Sequence, residues 1–287
     1  MHRSGTSALS GLIHQLGFDF GASITEPSWD NPRGFYENYK IQDLNDDLLS
    51  ALGKTWDTPG LIDKEDLNLT EIEALKSRAK KLVKRDFQGS PWIAIKDPRI
   101  CLLFPFWQSV LAADGYDLSV VTLLREPSEI AASLKKRNFF SESKSHLLTA
   151  SHWLSAEHAT RGLQRSFVTF DDLLRQPDAI VQFLIDKLVL AIESIDESRE
   201  GKISSSINGE LRHFKSSDDH LPQEDEFLTQ QIHDAVLDLS REGEKEEIHQ
   251  RLDAYRKQFL EYDMEAFRRS SGEQQYFAKL IYDDGGG

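Results

Sequence analysis

Cysteine is almost missing from this chain: Cys101 is the single example in 287 residues. A lone thiol closes no internal disulfide and completes no cysteine metal cluster, the usage expected of a reducing, cytoplasmic compartment. Long apolar runs are missing as well, and none approaches the roughly 20 residues that a membrane helix needs. The opening Met1-His2-Arg3-Ser4-Gly5-Thr6 lacks the apolar stretch of a secretory leader. Positive charge is in deficit: 34 Lys and Arg face 48 Asp and Glu, for a net charge of −14. That balance argues against coating nucleic acid or an anionic membrane, because such affinity comes from clustered cations that neutralise phosphates. What is present, 39% hydrophobic and 29% charged residues, is the make-up of a folded globular protein. The length suits one large α/β domain or two small ones.

The charge is segregated. Residues 76–175 carry 16 Lys and Arg against 10 Asp and Glu, whereas residues 176–287 carry 13 against 25. A positive middle inside an acidic chain points to a local anion site, or to a solvated helix around Lys76–Arg85.

Periodicity organises the chain. Leu9, Leu12, Ile13 and Leu16 share one helical face, so Thr6–Leu16 reads as a helix stopped by Gly17. Residues 18–40 read as a long connection, and Ile41, Leu44, Leu48 and Leu49 mark a second helix. Thr70 with Glu73 predicts a capping box opening a helix that runs to about Phe87. Three β-rich runs follow, Trp92–Lys96, Leu118–Arg125 and Ser166–Phe170, each ahead of a helical pattern. Near-continuous apolar strands separated by helices predict a three-layer α/β/α fold around a central parallel sheet. A helix is expected from Pro177 to about Ala191. One domain is expected over 1–287: a core to residue 192, a mobile connection at 194–223, extra C-terminal helices at 224–270 and a disordered tail at 283–287.

The chemistry starts at Arg3-Ser4-Gly5-Thr6-Ser7, immediately before the first helix. Backbone N–H groups and the helix dipole there can cradle an anion, with Arg3 adding charge and Thr6 and Ser7 adding hydroxyls. The same residues also fit a plain helix N-cap. A nucleotide kinase would carry G-x-x-x-x-G-K-[ST], yet Gly5 is followed by Thr6. An acidic metal-holding residue should close a nearby strand, yet the run Leu118–Leu124 continues into Arg125. No metal site is therefore expected.

Arg3-Ser4-Gly5-Thr6-Ser7 resembles the 5′-phosphosulfate loop of the sulfotransferases that use 3′-phosphoadenylyl sulfate, which reads [KR]-[ST]-G-[TS]-[TS]. Their 3′-phosphate motif, a strand ending in Arg with Ser eight residues later, is matched by Val120–Arg125 and Ser133. Lys96-Asp97-Pro98 resembles the K-D-P element of the tyrosylprotein branch, and Phe170-Asp171-Asp172-Leu173 through Pro177 resembles a [YF]-x-D-L-x-x-x-P segment. The nearest likeness is to a bacterial group with an H-R-S-G-T-S loop and N-P-[RK]-G-[FYW]-x-E, matched here by His2–Ser7 and Asn31–Glu37. The resemblance spans residue 2 to about 215. The family carries a buried strand just ahead of the loop; this sequence begins inside the loop, so a truncated first strand is expected.

The resemblance implies a P-loop-like fold and transfer of a sulfuryl group to a hydroxyl or amine without metal. It implies that Arg3, Ser4, Gly5, Thr6, Ser7, Arg125 and Ser133 bind the donor. Arg3 is the candidate for charge on the leaving 5′-phosphate, and Lys96 is the second cation, unless it is only the partner of Asp97. The acceptor needs a base. Cytosolic relatives place a histidine two residues after this lysine, where Pro98 stands here, so Glu37 is the first choice and His152 the second. Phe35, Tyr36 and Trp56 are candidates to line the acceptor pocket, and Arg212-His213 to close over the nucleotide. The expected acceptor is a small molecule, glycan, lipid or peptide. A nucleotide kinase and a non-catalytic nucleotide-binding relative remain as alternatives.

Overall fold

The helix α1 (Thr6–Gln15) forms where the apolar face predicts it, with Leu16 at its C-cap and Gly17 at φ 97° reversing the chain. A computed structural model describes residues 1–26, 34–187 and 224–262. The expected segments at 194–223 and 283–287, the end of the helix beyond Lys187, the dipeptide Arg212-His213 and the motif residues Asn31–Arg33 lie outside the described residues.

Three packed groups surround a small sheet. The first comprises α2 (Tyr39–Ala51), α3 (Thr70–Asp86) and α4 (Ile100–Ala113), which share a core of Leu44, Leu48, Ile72, Val83, Phe106 and Trp107. Asn38 opens α2 by accepting from the N–H groups of Lys40 and Ile41. The expected capping box at Thr70 and Glu73 does not form. Thr70 is already helical, Leu69 holds the N-cap position without a side-chain bond, and Glu73 pairs with Lys76. The reciprocal cap sits earlier, between Asp63 and Asp66, where a 3₁₀ turn (Lys64–Leu67) begins.

The sheet consists of β1 (Ser119–Leu124) and β2 (Gln164–Thr169), parallel and in register from Ser119 opposite Gln164 to Leu124 opposite Thr169. A parallel pair needs a long crossover. Here α5 (Pro127–Asn138) and α6 (Glu142–Ala159) supply it. Successive strand residues serve different cores. Leu123 and Val168 pack with α1, α7 (Phe170–Arg175) and α8 (Pro177–Lys187). Leu124 and Phe167 pack with α5, α6, α9 (Glu224–Glu242) and α10 (246–262). The chain is thus a mixed α/β protein, mostly helical, with a two-stranded parallel sheet.

Two strand expectations need correction. The third run ends at Thr169, because Thr169 caps α7 and Phe170 is already helical. The run Trp92–Lys96 is not a strand: it contributes one isolated parallel bridge, Asp19 to Ile93. A ladder needs a neighbour along its whole length, and among the described residues that run pairs only with the Asp19 segment. The run at 93–97 lines a cavity of about 300 Å³ together with Val120 and Val121 of β1 and Leu9 and Ile13 of α1.

The helix α6 carries almost no apolar periodicity because it is buried on nearly every side. Two of its interior hydroxyls bond back to its own carbonyls: Thr149 Oγ1 to Ser145 O at 2.8 Å and Ser151 Oγ to Leu148 O at 3.0 Å. Its end is tied by charge. Glu157, 1% exposed, accepts from Arg161 and from Arg165 of β2, and Arg165 also reaches Glu244 at 2.8 Å. No described helix is long and apolar enough to cross a membrane.

Candidate anion-binding site

The loop ahead of α1 is wound into left-handed turns, with Arg3 at φ 64° and Gly5 at φ 88°. For arginine that conformation costs about 1 kcal/mol, so neighbouring contacts must hold it. Gly5 is the N-cap of α1 and brings no side-chain cap. A methyl group there is excluded twice. The backbone is left-handed, and a Cβ would overlap Cδ2 and Cε2 of Phe170 and lie 3.3 Å from its Cγ.

The second motif meets the first directly. Arg3 Nε donates to Ser133 Oγ at 2.7 Å across 130 residues of sequence. Ser133 lies on α5 and is 1% exposed. Arg125, the residue after β1, donates from Nη1 to the Arg3 carbonyl at 3.0 Å and from Nε to Glu129 Oε2 at 2.9 Å. Its guanidinium carbon lies 4.7 Å from the centroid of the Phe170 ring. Arg125 is 8% exposed, and its Nη2 has no partner among the described residues; neither has Ser4 Oγ. Buried donors without acceptors cost about 1–3 kcal/mol each, which an anionic acceptor reaching them would offset.

A second charged group adjoins the loop. Lys96 Nζ forms an ion pair with Glu37 and also reaches the Phe35 carbonyl at 3.2 Å and Ser7 Oγ at 3.4 Å. The other carboxylate oxygen of Glu37 accepts from Gln42 Nε2 on α2. Thr25 N donates to the Glu37 carbonyl at 2.7 Å, which anchors the backbone. Lys96 thus pairs with Glu37, while Asp97 pairs with Arg99 and accepts from Asn45.

The remaining candidates make other contacts. His152 is 1% exposed on α6, with Nδ1 bonded to Leu148 O at 2.7 Å. Burial, followed by the positive N-terminal amine, pushes its pKa down to about 3, so the imidazole is neutral. Burial and then Arg137 likewise hold His2 well below the ordinary histidine range. Tyr36 packs on α1, with its ring 5.5 Å from those of His14 and Phe20. Trp56 belongs to another cluster, 4.6 Å from His2 and 5.7 Å from Phe140.

Arg3, Arg125 and Ser133 therefore form one hydrogen-bonded group, the Lys96–Glu37 pair reaches the loop through Ser7, and Ser4, Gly5 and Thr6 are placed beside them by the loop backbone. Sequence reading missed three supports of this site. Glu129 stands four residues after Arg125, a legible helical spacing. Gln42 and the packing role of Phe170 carry no local signal. Comparisons with family models, with curated proteins and with solved structures found no match to this chain.

Proposed function

We propose that this chain is a sulfotransferase that moves a sulfuryl group from 3′-phosphoadenylyl sulfate to a hydroxyl or amine of a small molecule, glycan, lipid or peptide in the cytoplasm. The observation that carries the reading is the meeting of Arg3, Arg125 and Ser133 beside Ser4 Oγ and Arg125 Nη2, buried polar atoms without partners among the described residues. A ligand with phosphate at both ends supplies acceptors to both motifs.

In this reading Arg125 and Ser133 hold the 3′-phosphate, and the loop Arg3–Ser7 holds the 5′-phosphosulfate. The Arg3–Ser133 hydrogen bond is then exchanged for phosphate oxygens. When bound, the donor supplies an activated sulfuryl group. Glu37 accepts the proton of the acceptor hydroxyl as that oxygen bonds to sulfur. Arg3 balances the negative charge that gathers on the leaving phosphate oxygen as its bond to sulfur opens. Lys96 places a second cation between Glu37 and Ser7.

The same reading includes the layered α/β/α fold. Residues of β1 and of the run at 93–97 line one cavity, the proximity that a shared sheet layer requires.

Calorimetry with adenosine 3′,5′-bisphosphate tests the proposal. Binding is expected, weakened about 10- to 100-fold in Arg125→Ala, as befits loss of a charge-assisted hydrogen bond. Glu37→Gln is expected to lower kcat about 100-fold with the donor affinity retained. Absence of bisphosphate binding would overturn the assignment. ATP turnover abolished by a chelator would replace it with a kinase, and binding without sulfuryl transfer to any acceptor would leave a binding protein.

A further inference from the structure

Phe170 touches both halves of the anion-binding site, although it bonds to neither. Its ring is 3% exposed and begins α7 directly after β2. The turn that aims it is fixed by Thr169, whose hydroxyl accepts from Asp172 N at 3.0 Å and donates to Asp172 Oδ2 at 2.6 Å. The ring occupies the space beside Gly5 that a Cβ would need. The Arg125 guanidinium lies over the same ring at 4.7 Å. Arg125 is otherwise held by Glu129 and by the Arg3 carbonyl, so the ring is the third support of a group whose Nη2 has no partner among the described residues.

We propose that Phe170 is a positioning residue that fixes the spacing between the phosphate loop and Arg125, so that a ligand bearing two phosphates is bound at both ends at once. This rests on the donor site described above. A flat ring is what both contacts require. Leucine fills a similar volume but has no electron-rich face for the guanidinium and no thin edge for the Gly5 turn. Without the ring, each subsite keeps its own hydrogen-bonding groups while their separation loosens. The loss therefore falls on ligands that span both subsites, because simultaneous engagement depends on geometry.

The test compares adenosine 3′,5′-bisphosphate with adenosine 5′-monophosphate by calorimetry on the full chain, wild type against Phe170→Leu, Phe170→Met and Phe170→Tyr. The bisphosphate is expected to weaken about fivefold in the leucine and methionine variants, the monophosphate less than about twofold, and Phe170→Tyr to restore both. Equal losses for both ligands, or no loss for either, would overturn the proposal and leave Phe170 as ordinary core packing. A thermodynamic cycle in urea, combining Phe170→Leu with Arg125→Met, gives a readout that needs no nucleotide. A coupling of about fivefold in the unfolding constant supports the Phe170–Arg125 contact, and additive losses refute it. If the wild type binds neither nucleotide while the cycle shows coupling, the sulfotransferase reading fails and the clamp on Arg125 stands.

Discussion

Replacing Gly5 with alanine adds a single carbon at the point where the loop, Arg125 and Phe170 meet. Two penalties follow. The left-handed backbone at φ 88° costs an L-residue about 1 kcal/mol. The new Cβ overlaps two carbons of a ring that is 3% exposed and stacked on Arg125, so relief requires a shift of packed groups. Overpacking of this kind costs about 1–3 kcal/mol. Alanine also stiffens the unfolded chain, which returns about 0.4–1 kcal/mol. The net expectation is a loss of about 1–3.5 kcal/mol, a large share of the roughly 5–15 kcal/mol that holds a domain together. Gly115 is the internal control, since its φ is 82° and nothing lies within 4 Å of its would-be Cβ. Gly115→Ala therefore carries the strain without the clash and should cost about 1 kcal/mol. Urea denaturation of the two variants reads the difference directly. Equal losses at the two glycines would refute the overlap with Phe170 as the reason that glycine is needed in the loop.

Three further outcomes follow from the packing. Asn38→Ala removes the cap of α2 and leaves Asp86 without its 2.9 Å donor, so denaturation should show a loss of about 2 kcal/mol; a loss under about 0.5 kcal/mol would contradict the capping role. Arg165→Leu removes one of the two arginines on the buried Glu157 carboxylate, leaving Arg161, and releases Glu244, so thermal unfolding should report about 1–3 kcal/mol of destabilisation, which Arg165→Lys should recover only in part. His152 supplies a pH dependence. Its folded pKa of about 3 lies below the unfolded value of 6.5, so unfolding takes up a proton below pH 6.5. Stability is complete above that pH and falls at about 1.4 kcal/mol per unit as the pH drops towards 3. His152→Leu should flatten the profile between about pH 7.5 and 5.5 by about 1.4 kcal/mol, and an unchanged slope would show that the imidazole is not buried neutral.

The parts of this protein legible in the sequence are those decided within a few residues. The α1 helix and its glycine stop, the β1 strand with Arg125 at its end, and the helix carrying Ser133 all follow from periodicity and local stereochemistry. The expected cap at Thr70 shows the margin of such rules, because a one-residue change in the helix start removes it while Asp63 and Asp66 cap a neighbouring turn instead. The run at 92–96 has β-forming residues, but a strand exists only where a second chain segment lies beside it, and among the described residues only the Asp19 segment pairs with it. The helix α6 hides from periodicity because partners surround it.

For the candidate site, sequence alone named the residues with hydrogen-bonding and charged groups, since residue type and motif order determine chemical capability. Tertiary structure decided which of them meet. It set Arg3 against Ser133, Lys96 against Glu37 rather than Asp97, and Phe170 between Gly5 and Arg125. It also took His152 into the interior and Tyr36 and Trp56 into separate clusters. The physical reason is the reach of the forces involved. Backbone hydrogen bonds and side-chain propensity act over a few residues, whereas burial and ion pairing act between segments that only the folded chain brings together.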